Sequence, residues 1–268
     1  MLPYIHVFGI EIPMYGLLMA TALLVAVGLS WLRARKRGAD GDKLLSIALI
    51  AIILGIIGAK ALYMVVTYSW SEFVDAVKAN GFMWILQGGL VFYGGLIGGV
   101  IGAFLGAKFV KVKLSSYSDA IVPTMPLAHA IGRMGCFCAG CCYGKVTESW
   151  IGMSFPAAGL AEGVRVIPTQ LIEAGANILV FLFLLWFTRK RRKGFTSLYV
   201  YLIIYGVERF LIEYLRGDEI RGIFGAFSTS QWISIALVAA AIVALALTRV
   251  LEKRKEAEEP DIKPEAED

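Results

Sequence analysis

The sequence predicts an all-α, polytopic membrane protein of seven transmembrane helices, with its N-terminus outside and its C-terminus in the cytoplasm. Three observations carry that expectation. The chain of 268 residues is 58% hydrophobic and only 18% charged, and its mean hydropathy is +0.70, above what the polar surface of a soluble domain allows. Its apolar residues fall in runs of about 20, the length that crosses a bilayer core as a helix. Its Lys and Arg gather in short clusters between those runs, a pattern of membrane topology that gives no reason to expect a nucleic-acid partner.

The plain candidate spans are Tyr15–Leu32, Leu44–Tyr68, Leu90–Val110, Pro168–Thr188, Phe195–Leu215 and Ser230–Val250. A further one, Ser118–Phe137, is interrupted by Pro123, Pro126, His129 and Arg133. Topology decides in its favour. Basic residues cluster after the first span (Arg33, Arg35, Lys36, Arg37, Lys43) and after the third (Lys108, Lys111, Lys113). They recur at Arg189–Lys193 and at the C-terminal end (Arg249, Lys253, Arg254, Lys255, Lys263). The positive-inside rule puts all four clusters in the cytoplasm, and they share a side only if Ser118–Phe137 crosses. Met1–Pro13 lacks the basic start and small-residue cleavage site of a signal peptide.

In the third span Gly94, Gly95, Gly98, Gly99, Gly102 and Gly106 recur at the spacing that lets helix backbones approach closely. The expected organisation is one seven-helix domain over residues 1–251. Residues 252–268 are charged, lack an apolar face and are expected to form a disordered cytoplasmic tail.

Ionisable side chains inside a span cost about 3 kcal/mol each at mid-helix, so each is a functional candidate. With the topology set, their depths coincide. Arg133 lies near the outer end of its span; Arg209, at about 1.5 Å per residue, lies roughly 9 Å below the outer end of the sixth. Tyr15, Tyr93, Gln170 and Glu173 open their spans from outside, and Lys60 approaches the outer end of the second. On the sixth span Tyr205, Arg209, Glu213 and Arg216 fall within about 80° of one another, a single stripe. Glu208 lies off it. Arg209 and Glu213 could be a structural i,i+4 ion pair. Yet three guanidinium groups (Arg133, Arg209, Arg216) against one or two carboxylates leave surplus positive charge, a reason to hold an anion. At this depth the abundant anion is a phospholipid phosphate, which arginine grips bidentately.

All four cysteines, Cys136, Cys138, Cys141 and Cys142, lie within one short stretch, which is not a disulfide framework. A metal site, a redox pair at Cys138 and Cys141, and small residues packing at a helix end with one disulfide are the readings open to them. No second cysteine pair or histidine cluster completes a usual ligand set, so no metal and no cofactor is expected.

Several motifs, in order, resemble the prolipoprotein diacylglyceryl transferase family from Tyr15 to about Trp232. They are Tyr15-Gly16-Leu17, Gly58-Ala59-Lys60, Gly94-Gly95-Leu96-Ile97-Gly98, and Gly132-Arg133-x-Gly135-x-Phe137 with Gly144. Pro168-Thr169-Gln170-Leu171 with Glu173, and Tyr205-Gly206-x-x-Arg209-Phe210-x-x-Glu213-x-x-Arg216, complete the set. The resemblance implies an enzyme of the bacterial cytoplasmic (inner) membrane with its site toward the outer leaflet. Its reaction would move the diacylglyceryl group of phosphatidylglycerol to the lipobox cysteine thiol of a preprolipoprotein signal peptide, forming a thioether and releasing glycerol phosphate.

The residue chemistry fits that reaction. Arg133, Arg209 and Arg216, with Lys60, Tyr15 and Gln170, would bind the substrate, because a leaving phosphate needs positive charge. Glu213, Tyr205, Tyr93 and His129, with Arg209, are the catalytic candidates. Here the chain departs from the family's usual pattern. Tyr93 stands where many members have a histidine proposed as the base, and His129 is the histidine placed to substitute for it. Cys136, Ala139 and Cys141 replace two asparagines and a glutamate of the arginine signature, and Val166-Ile167 replaces an Arg-His pair. A relative that binds phospholipid or signal-peptide helices without catalysis, or with an altered acceptor, is the alternative.

Overall fold

The computed structural model describes residues 2–86, 88–155, 160, 163–216 and 223–258. Within them the chain is mostly helical. Helices α1 (Met14–Lys36), α2 (Gly41–Thr67), α4 (Phe92–Phe109), α7 (Thr169–Phe187) and α9 (Thr229–Glu258) contain stretches long and apolar enough to cross a membrane. Each overlaps one of the expected spans along most of its length. Their apolar side chains point outward: Leu49, Ile53, Ile56 and Ile57 of α2 are exposed, while Gly41 and Ala59 of the same helix are buried. Water would penalise that arrangement and hydrocarbon does not, so the chain is a membrane protein.

The remaining expected spans form helices of a different kind. Ser118–Phe137 is broken at its prolines into α5 (Ser118–Ile121) and α6 (Thr124–Ala139). Pro123 stands at the break, and Pro126 falls in the first turn of α6, where a missing N–H costs no helical bond. The 16 residues of α6 reach about 24 Å at 1.5 Å per residue. Helix α8 (Thr196–Glu213) has 18 residues, Glu208, Arg209 and Glu213 among them.

Three features were not expected. Short antiparallel hairpins, β1 (Tyr4–Val7) with β2 (Ile10–Pro13) and β3 (Ile223–Phe224) with β4 (Phe227–Ser228), add strand to an otherwise helical chain. The first turns at Phe8 and Gly9, both at positive φ, the geometry that suits a two-residue hairpin loop. Between α2 and α4, α3 (Trp70–Asn80) begins with a capping box in which Ser69 and Glu72 satisfy each other's groups. The Ser69 backbone and hydroxyl hold the Glu72 carboxyl below the usual carboxylate range. Finally, α9 runs past Glu252 to Glu258, helical where the tail was expected to be disordered. Residues 259–268 of that tail lie outside the described residues.

The chain divides into two compact units, residues 27–120, and residues 1–26 with 121–268. In the first, α2 and α4 pack along their glycines. A Cβ added at Gly58 would strike the Gly94 carbonyl, and one at Gly98 would strike that of Leu54. Contact is therefore backbone on backbone, as the glycine spacing predicts. The basic cluster at the end of α1 is also used: Arg37 Nη1 lies 3.3 Å from Asp119 Oδ2, and Arg33 Nη2 donates to the Asp119 carbonyl at 2.8 Å. In the second unit, α6 packs on α7, α7 on α8 and α8 on α9. Val122, Val180, Leu184 and Tyr201 form its apolar core.

Gly98→Ala should lower the unfolding temperature in detergent, at a cost of about 1–3 kcal/mol for the forced separation of α2 and α4. Gly99→Ala, whose Cβ would meet nothing closer than 3.8 Å, should be neutral or slightly stabilising through helix propensity. Equal losses at both positions would contradict the close packing described.

Candidate active site

The site is built on one face of α7. Gln170, Glu173 and Asn177 recur at helical spacing, and each is at most 2% exposed. Such side chains inside an apolar bundle need partners, and α6, α8 and the loop after α6 supply them.

Glu173 lies at the centre. Its Oε2 is 2.5 Å from Arg133 Nε of α6, and its Oε1 is 3.6 Å from Arg216 Nη1, beyond the end of α8. The Arg133 Nε also donates to His129 Nε2 one turn earlier on α6, at 3.2 Å. On α8, Arg209 Nη2 pairs with Glu213 Oε2 at 2.7 Å, and Ser228 Oγ donates to Glu213 Oε1 at 3.0 Å. Asn177 Nδ2 donates to Glu208 Oε1 at 2.9 Å, so the residue off the α8 stripe faces α7. Arg209 Nη1 is buried and has no hydrogen-bond partner among the described residues.

The loop leaving α6 is tied to the start of α7. Gly140 ends α6 in the left-handed conformation, the usual helix stop. Thr169 Oγ1 donates to the Cys142 carbonyl at 2.8 Å, and Gln170 Nε2 to that of Cys141 at 2.7 Å. Gly144 N donates to the Ile167 carbonyl at 2.8 Å. A side chain at Gly144 would meet Thr169 and the Leu215 carbonyl, which accounts for a glycine there.

The structure thus brings together Arg133, His129, Gln170, Tyr205, Arg209, Glu213 and Arg216. The Tyr205 ring lies 5.7 Å from that of His129. Tyr15, at the start of α1, packs against Gly135 and lies in the field of Arg133 and the thiols of Cys136, Cys141 and Cys142. Lys60 and Tyr93 belong to the other compact unit. There Lys60 Nζ reaches the Gly89 carbonyl at 3.5 Å, and Tyr93, mostly exposed, packs edge-on against Phe92.

One expectation is corrected. The charge count does not leave three arginines against one or two carboxylates, because Glu173, Glu208 and Glu213 all enter the network. Reading one helix stripe in isolation omits the carboxylates that α7 and the side of α8 bring in. His129, expected as a candidate proton acceptor, accepts the Arg133 Nε–H through its Nε2, a contact that orients the guanidinium. Glu173, Asn177 and Glu208 were not among the expected site residues. The signal for the first two was available: polar residues at helical spacing along one face of an apolar run.

The cysteines also sort differently from the C-x-x-C reading. Cys136, Cys141 and Cys142 place their sulfur atoms within 4.8 Å of one another. Cys138, two positions from Cys136, points roughly 200° away around α6 and is not in that group. All four are free thiols.

Glu173→Gln keeps the shape and removes the charge shared by Arg133 and Arg216. Breaking a buried pair in this way should cost about 3–5 kcal/mol, seen as a fall in the unfolding midpoint in detergent. An unchanged midpoint would show that Glu173 does not hold the two arginines.

A family profile described as prolipoprotein diacylglyceryl transferase matches residues 3–247. The chain is 38% identical over 231 residues to a phosphatidylglycerol–prolipoprotein diacylglyceryl transferase of Clostridium tetani, covering 86% of this chain and 90% of that protein. It is 36% identical to a phosphatidylglycerol–prolipoprotein diacylglyceryl transferase 2 of Clostridium perfringens, covering 94% and 96% of the two chains. A relative of the same name in Clostridioides difficile is 33% identical over 237 residues, 88% of this chain and 91% of its own. The chain belongs to the prolipoprotein diacylglyceryl transferase family.

Proposed function

We propose that this chain transfers the diacylglyceryl group of phosphatidylglycerol to the lipobox cysteine of preprolipoproteins, with α6, α7 and α8 forming the phosphate-binding side of the site. Besides the family, one observation carries the structural part of this reading. Arg209 presents a buried guanidinium nitrogen with no partner among the described residues, beside two further arginines held in place by Glu173. An orphaned buried donor costs about 1–3 kcal/mol, and a phosphate oxygen would remove that cost.

The reaction displaces a phosphate ester from the terminal glyceryl carbon by sulfur. The C–O bond breaks, the C–S bond forms, and negative charge grows on the departing phosphate. Arginines fixed beforehand by carboxylates pay no reorganisation as that charge develops. Arg133, Arg209 and Arg216 are assigned this task. Gln170 and Tyr15 shape the side of the pocket toward the acceptor. Glu213, tied to Arg209 and Ser228, and His129, occupied by Arg133, are positioning residues, and Tyr205 packs behind His129. For Lys60 of α2 and Tyr93 of α4 the roles expected from the sequence, substrate binding and catalysis, are proposed unchanged.

The same reading takes α5 with α6, and α8, as crossings in addition to the five long apolar helices. That makes seven, with the N-terminus outside, the C-terminus in the cytoplasm of a bacterial inner membrane, and the site toward the outer leaflet. It rests on the four basic clusters sharing one side.

The deciding experiment incubates the purified chain with phosphatidylglycerol and a lipobox peptide, and reads the peptide by mass spectrometry. A diacylglyceryl adduct on the cysteine is expected. No adduct, together with failure to restore growth of a bacterium depleted of its own transferase despite membrane expression, would favour a binding role instead. Arg133→Ala should lower turnover by ~10²-fold or more while the protein stays in the membrane; normal turnover would sink the phosphate assignment. His129→Gln retains an acceptor for Arg133, so it should keep most turnover and the parental pH profile, whereas His129→Leu should not. A lost alkaline or acidic limb in the Gln variant would restore His129 as the proton acceptor. Tyr93→Phe alongside them tests whether its hydroxyl takes part.

A further inference from the structure

Cys136, Cys141 and Cys142 have no role in the reading above, yet the chain goes to some length to converge them. Their sulfur atoms lie within 4.8 Å of one another. Around one zinc ion, with Zn–S bonds of about 2.3 Å, sulfurs stand about 3.8 Å apart, so small side-chain rotations close the shell. The backbone is shaped to the same end. Cys141 N donates to the Cys136 carbonyl at 3.1 Å as the helix stops. Cys142 then adopts a positive φ of 63°, uncommon without a glycine, and this turns its thiol back over the helix end. Thr169 and Gln170, both fully buried, clamp the Cys142 and Cys141 carbonyls from behind. Strain combined with an outer shell of hydrogen bonds is how metal sites are held in shape.

The charges are suited as well. Three thiolates and a divalent ion carry one net negative charge, and the guanidinium of Arg216 reaches the Cys142 thiol. Among the described residues the group contains three ligands and no fourth. Three protein ligands and one open position is the pattern of a catalytic zinc site, whereas structural sites close all four.

We propose that Cys136, Cys141 and Cys142 bind one Zn²⁺ whose open position takes the acceptor cysteine thiol. This deepens the transferase reading and rests on it. The acceptor S–H releases its proton to water on binding, because a coordinated thiol is deprotonated outright. A sulfur lone pair then attacks the glyceryl carbon, the C–S bond forms, and the C–O bond to phosphate breaks. The electron pair leaves on the phosphate oxygen, beside the arginines, and that oxygen takes a proton from solvent. The thioether product is a weaker ligand than the thiolate and departs. Zinc is not consumed. This supplies the thiolate that His129 and Glu213, both already engaged, do not.

The test uses the full chain in detergent, reduced, stripped with a chelator and titrated anaerobically with Co²⁺ as the spectroscopic substitute. One equivalent should give a thiolate-to-cobalt charge-transfer band, lost in Cys136→Ser, Cys141→Ser and Cys142→Ser and retained in Cys138→Ser. A lipobox peptide should raise that band by about one third as a fourth thiolate joins, and its cysteine-to-serine version should not. Absence of the band, its survival in Cys142→Ser, or a disulfide among the three with no zinc in freshly isolated protein would overturn the site. A band indifferent to the peptide would overturn the acceptor role. Stripping should lower transfer by ~10-fold or more, restored by Zn²⁺. Full transfer by stripped protein would refute this inference and leave the transferase reading standing, whereas no transfer even when zinc-loaded would count against the transferase itself.

Discussion

The carboxylate of Glu173 is the constraint on which the second compact unit depends. A carboxylate inside a helical bundle, away from water, persists only where cations and donors meet it. Glu173 draws Arg133 from α6 and Arg216 from beyond α8, so a single group on α7 ties together the elements on either side. The register of those helices follows from it. Sliding one helix by a residue would strand a charge, at a cost of about 3–5 kcal/mol. The same helix opens with Thr169 and Gln170, which hold the cysteine loop. One short face of α7 therefore organises both the arginines and the thiols.

The other unit solves its packing problem by a different route. Between α2 and α4 the contact is a seam of glycines, in which backbone meets backbone. Lipid tails are as apolar as leucine, so nothing drives these helices together through burial of side chains; close van der Waals contact does the work instead. Apolar side chains left outside face hydrocarbon. In both units small and polar residues are buried beside a limited apolar core, while many large apolar side chains face outward.

Stability and chemistry share residues in this molecule. Arg133 and Arg216 are held by Glu173, and Arg209 by Glu213, before any substrate is present. Such pairs are expensive to build and weak as stabilisers relative to apolar packing, yet they fix the orientation of the three guanidinium groups. Arg209 Nη1, buried without a partner among the described residues, is where that preparation is left incomplete. The thiol group at the end of α6 has the same character, with a backbone held in an unfavourable conformation at Cys142 and buttressed by buried side chains.

Much of this was legible in the sequence. Hydropathy located every long helix, since a bilayer imposes a length that composition alone reveals, and the glycine spacing of α4 announced its packing. The i,i+4 relation of Arg209 and Glu213 is local, and their 2.7 Å contact follows from helix geometry. The capping box at Ser69 and Glu72 was equally local and equally readable, but a search for apolar runs passes over a short surface helix. The break at Pro123 and the i,i+4 contact of Arg133 with His129 are local in the same sense. What only the tertiary structure decided is which polar residues from different helices meet. Glu173 lies 40 positions from Arg133 and 43 from Arg216 in the chain, and nothing in their spacing says that one carboxylate serves both. The three thiols were assigned by a backbone turn at Gly140 and Cys142 that composition does not encode. Periodicity is a property of one helix at a time, so the sequence by itself determined the helices and the faces that carry charge. Pairing between faces is set by the packing of the bundle, where burial makes each unmatched charge too costly to leave alone.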